Sequence, residues 1–103
     1  MKADEQMRLL DNLQSLLEKQ IEMARRSNLS RVEALAEQAD SVVEKIVRTK
    51  VFEQPGSEGQ REHLTKLYKK LQLILAAGKD SVGRQLRKVS SVRKTLKAYH
   101  NNG

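Results

Sequence analysis

Leu10, Leu13, Leu17, Ile21 and Ala24 recur at three- and four-residue steps through otherwise polar sequence, which predicts an amphipathic helix over about residues 3–26. Leu9, Leu16 and Met23 widen that stripe into a core-facing surface. "RRSNLS" interrupts it: Ser27, Asn28 and Ser30 favour caps and turns, and Ser30 with Glu33 has capping-box spacing. A second helix, about residues 30–52, follows from Val32, Leu35, Ala36, Ala39, Val42, Val43, Ile46 and Val47 on the same period. Pro55, Gly56 and Gly59 then mark a turn over 53–60.

The third segment, about 60–99, carries Tyr68, Leu75, Val82, Val89 and Leu96 at strict seven-residue spacing, a coiled-coil-like seam broadened by Leu64, Leu67, Leu71, Ile74, Leu86, Val92 and Tyr99. Residues 100–103 are expected to be a frayed tail. At 1.5 Å per residue the first two helices reach on the order of 35 Å each and an uninterrupted third roughly 60 Å. About 20 residues of the third would then project beyond the hairpin, exposing Val82, Leu86, Val89, Val92, Leu96 and Tyr99, at on the order of 10 kcal/mol of forgone burial. Either "AAGKDSVG" breaks the helix near Gly78 and folds it back as a fourth, or the overhang is covered by another chain. The heptad keeps its phase through Gly78 and Gly83, which favours the continuous form. The expected fold is therefore all-α, a single antiparallel bundle of three helices with the third long, or four if it breaks near Gly78.

Composition agrees with a charged helical domain: 103 residues, 38% hydrophobic, 32% charged and only 3% aromatic. Cysteine is absent, so thiolate metal sites, disulfides and thiol nucleophiles are excluded. Asp4, Glu5, Asp11 and Glu18 fall where a secretory signal would need an apolar run, and no stretch approaches the 18 or so apolar residues of a membrane span, so a cytoplasmic protein is expected. The net charge of +7 is uneven: residues 1–58 hold nine Lys/Arg against eleven Asp/Glu, whereas 59–103 hold eleven against two. That asymmetry points to an internal match between halves, an anionic partner, or both.

Chemistry is sparse. His63 and His100 lack a carboxylate or second histidine at i±4, Glu18 and Glu22 read as exposed helix-surface pairs, and "GKDS" at 78–81 has Leu73 where a phosphate-binding loop needs its first glycine. No nucleophile, base and oxyanion donor can be assembled, so no enzyme, cofactor or metal is expected. The basic residues Lys79, Arg84, Arg87, Lys88, Arg93, Lys94 and Lys97 raise nucleic-acid binding, but no aromatics are interleaved for stacking and no helix-turn-helix or zinc module accompanies them.

Taken with this long basic terminal helix, "LLDNLQSLLEKQIEMARRSNL" and "LRKVSSVRKTLKAYHNN" resemble the FlgN/FliT-type flagellar export chaperones over nearly the whole chain. The resemblance implies a small bacterial cytoplasmic helical protein that binds the C-terminal amphipathic segment of a hook-associated or filament-cap subunit. It would prevent early assembly and deliver the subunit to the type III export apparatus. The family's client surface lies toward its C-terminal helices, which here implies Val82, Leu86, Val89, Val92, Leu96 and Tyr99, with Arg84, Arg87, Lys88, Arg93, Lys94 and Lys97 steering acidic client residues. The alternatives are a self-associating helical adaptor, whose homodimer would cover the same stripe, and a non-specific nucleic-acid-binding helical protein.

Overall fold

The computed structural model describes residues 3–53, 56–77 and 91–96. They form α1 (Ala3–Arg25), α2 (Leu29–Thr49), a 3₁₀ turn (Val51–Glu53), α3 (Glu58–Ala77) and a helical segment at 91–96, with no strand among the described residues. The fold is an all-α bundle. α1 packs against both α2 and α3, and its sequence shows why it holds that place. Its buried set of Leu10, Leu13, Leu16, Leu17, Gln20, Ile21 and Ala24 includes the adjacent pairs Leu16/Leu17 and Gln20/Ile21, a stripe wide enough for two partners. α3 buries a narrower line, Arg61, Leu64, Tyr68, Leu71 and Leu75, at alternating three- and four-residue steps.

The turn between α1 and α2 needs only three residues because Asn28 serves both helices. Its N–H donates to Met23 O (2.9 Å) and that of Ser27 to Ala24 O (3.0 Å), the paired bonds of a Schellman ending, with Ser27 left-handed at φ 59°. Asn28 Oδ1 then accepts from the Arg31 N–H at 3.2 Å and caps α2. The expected cap at Ser30 is thus displaced by two residues. The helix starts at Leu29, whose side chain packs against the core.

α2 ends at Thr49 instead of about Phe52. Lys50 turns left-handed at φ 56° and its N–H meets the carbonyls of Ile46 and Val47. Had the helix continued, Val51 and Phe52 would lie roughly 140° and 240° around the axis from Ile46, away from the core. The turn aims both inward instead, to 0% and 4% exposure, where they close the end of the bundle. The Phe52 carbonyl accepts from Ser57 Oγ (3.1 Å) and Arg61 Nη1 (3.2 Å), so the 3₁₀ turn is tied to the start of α3. Gln60 Nε2, donating to Asp11 Oδ1 at 2.7 Å, ties α3 to α1.

At the C-terminal end the structure decides between the two expected forms, against the favoured continuous helix. A straight helix from 58 to 96 would be about 57 Å long, more than the longest dimension of 41 Å. Arg93 Nη1 donates to Gln72 Oε1 at 3.0 Å, yet the two residues would lie about 30 Å apart along a continuous helix. Residues 91–96 therefore return alongside α3, and the uninterrupted 60–99 helix is corrected to an α3 ending at Ala77 with a later segment laid back on the bundle. The physical reason is burial: Leu96 enters the same core cluster as Leu64, Tyr68, Leu71 and Leu75. The proposed break at Gly78 lies outside the described residues.

Candidate partner-binding surface

The 91–96 segment presents Val92 and Leu96, one turn apart, to the bundle. Leu96 is 1% exposed within the core cluster and Val92 is half-buried against it. Thr95 Oγ1 donates back to Ser91 O at 3.2 Å, a local bond within the turn. Arg93 is half-buried and spends its Nη1 on Gln72, while its Nε is buried without a hydrogen-bond partner. Lys94 is exposed.

Of the sequence-expected client stripe, Leu96 is packed into the chain's own core in place of being held open. Val92 faces the same way. Among the expected steering cations Lys94 is free to face solvent, whereas Arg93 is engaged with Gln72. Val82, Leu86, Val89, Tyr99, Arg84, Arg87, Lys88 and Lys97 lie outside the described residues.

Two features escape hydrophobic periodicity. Arg61 and Gln20 occupy core-facing positions at 5% and 2% exposure. Gln20 Nε2 donates to Val32 O at 3.3 Å across the α1–α2 interface, and Arg61 holds Phe52 O. Arg61 nevertheless shares the seam's spacing, one heptad before Tyr68 and two before Leu75. The second feature is the outward side of α3, where Lys66, Lys69, Lys70, Leu73, Ala76 and Ala77 are all exposed, Leu73 to 62%.

Among the described residues the interior holds one buried titratable group whose pKa is shifted, Tyr68. Burial, and secondarily the Asp40 carboxylate, raise the Tyr68 hydroxyl well above the ordinary phenol range, so it stays neutral and protonated at physiological pH. His63 is exposed, and no group of three or more His, Cys, Asp or Glu among the described residues is placed to hold a metal ion. No described helix is long and apolar enough to cross a membrane. Comparison with protein-family models, curated proteins and solved structures returned no match.

Proposed function

We propose that this protein is a cytoplasmic flagellar export chaperone of the FlgN/FliT type, which holds the C-terminal amphipathic segment of a hook-associated or filament-cap subunit until type III export. The observation that supports the reading is the seating of a short helical segment on the bundle through Val92 and Leu96. An apolar-anchored segment that packs on one helical surface is of the kind that packs on another. The client's leucine-type anchors and the chain's own bundle compete for the apolar side of the C-terminal segment. Leu96 is the single large fully buried anchor of residues 91–96, so releasing that turn costs about 1.5–3 kcal/mol of apolar burial, a barrier that a client helix with several anchors can offset. Ordering a disordered client tail costs several kcal/mol more, which keeps affinity moderate and lets cargo be handed on. Basic side chains, of which Lys94 is exposed, steer acidic client residues toward the segment.

The test is calorimetric titration of the full-length protein with peptides spanning the C-terminal 40 or so residues of flagellar hook-associated and filament-cap subunits. Saturable binding to one of them, weakened by Leu96→Asp while circular dichroism shows α1–α3 intact, supports the reading. No binding by any such peptide at high micromolar concentration would sink it.

A further inference from the structure

α3 buries Leu64, Tyr68, Leu71 and Leu75 toward the bundle. At about 100° per residue, Lys66, Leu73 and Ala77 lie roughly 140–180° from Tyr68, on the opposite side of the helix. All three are exposed, with Lys69 and Ala76 on one flank and Lys70 on the other. A single exposed leucine needs no explanation. Here, however, Leu73, the most exposed large hydrophobic side chain among the described residues at 62%, sits within a graded face. Three lysines occupy its N-terminal half. Leu73 and two alanines occupy its C-terminal half, and small residues beside a leucine let a second helix approach to about 8–10 Å between axes. Glu58 and Glu62 stand on the first turns of α3, Glu62 one turn before Lys66, and from His63 to Ala77 the chain contains no acidic residue, so beyond that first acid the face carries lysines alone.

We propose that the outward face of α3 is a docking surface for an acidic amphipathic helix of another protein, its apolar end packed on Leu73, Ala76 and Ala77 and its carboxylates laid along Lys66, Lys69 and Lys70. The face centres on the side of α3 opposite Leu64, Tyr68, Leu71 and Leu75, with which Leu96 clusters, and the inference does not depend on the chaperone reading. A polyanion is the poorer occupant. It would use the lysines alone and leave Leu73 without a role, and α3 exposes no Phe, Tyr or Trp ring for base stacking, since Tyr68 is buried. An anionic membrane is poorer still, because one leucine and two alanines give little to bury in lipid.

The experiment titrates full-length, isotope-labelled protein with synthetic probes of about 18 residues, long enough to be helical once bound. One carries leucines at i and i+4 near one end and glutamates along the same face toward the other. The second replaces its glutamates with lysines, the third is oligoglutamate, and a DNA duplex serves as the fourth. The leucine–glutamate probe is expected to shift the backbone amides of residues 66–77. Leu73→Ser, a surface substitution whose fold is checked by circular dichroism, should weaken it by about tenfold, and Lys66→Glu/Lys69→Glu/Lys70→Glu should abolish it. The proposal is overturned if no probe moves those amides. It is equally overturned if oligoglutamate or duplex binds as tightly and Leu73→Ser changes nothing, or if the same amides shift with protein concentration alone, which would make a second copy the occupant.

Discussion

Replacing Leu96 by Ala separates a core anchor from a surface side chain. Leu96 is 1% exposed and shares a cluster with Leu64, Leu71 and Leu75, so truncation removes its transfer free energy and leaves a void. Fully enclosed leucines lose about 2–5 kcal/mol on such truncation. Leu96 should fall near the lower end, about 2–3 kcal/mol, because its segment can shift or detach instead of preserving an empty cavity. Leu17, 0% exposed on the helix between α2 and α3, has no such escape and should lose about 3–5 kcal/mol when cut to Ala. Urea unfolding of the two variants beside wild type reads both values, and amide exchange shows whether protection at 91–96 is lost before that of α1. A Leu96→Ala variant within about 0.5 kcal/mol of wild type would match an exposed position and refute the docked C-terminal segment.

Other expectations follow from the turns and from the buried phenol. Asn28→Ala removes the cap on the Arg31 N–H and should cost about 1 kcal/mol in thermal or urea unfolding, whereas Ser30→Ala, at the position sequence spacing favoured, should cost clearly less. Ser27→Gly should raise stability by up to about 1 kcal/mol, since Ser27 holds φ 59°, a conformation glycine adopts without strain; a loss would show that the serine side chain supports the turn. Tyr68, with its folded-state pKa raised above the ordinary 10.0, favours folding fully below that value. Its contribution should fall away as pH climbs above 10, by up to about 1.4 kcal/mol per unit. Urea midpoints from pH 8 to 11 should therefore decline more steeply for wild type than for Tyr68→Phe, and parallel slopes would contradict the buried phenol.

Much of the bundle was legible because burial imposes a period on the sequence. The leucines of α1 declared both its helix and, through the doubled positions 16/17 and 20/21, its place between two neighbours. The ends were less legible. Ser30 and Asn28 are both good capping residues two positions apart, and what decides between them is that Asn28 also closes α1, a relation visible only in three dimensions. Lys50 carries no local signal for a left-handed turn; it adopts one because Val51 and Phe52 gain the core by it. The seven-residue seam misled for a general reason. A repeat reports which face of a helix is buried, and two segments packing on the same core can share a phase without being one helix. Tyr68, Leu75 and Leu96 all reach the core, but Leu96 reaches it from a returning segment. On the surface, Leu73 falls five residues after Tyr68, off the buried period, and only its exposure beside three lysines reveals the outward face of α3.

The central claim is that the C-terminal segment lies back on the bundle and is the part a client draws away. Spin labels at the exposed positions Lys70 and Lys94, measured by pulsed electron resonance in the full-length protein, test it directly. The account expects a distance under about 25 Å in the free protein, lengthening when a client peptide binds, against about 36 Å for a continuous helix over those 24 residues. A free-protein distance near 36 Å would contradict the docked segment and restore the long open helix; a short distance that no client peptide changes would contradict the exchange.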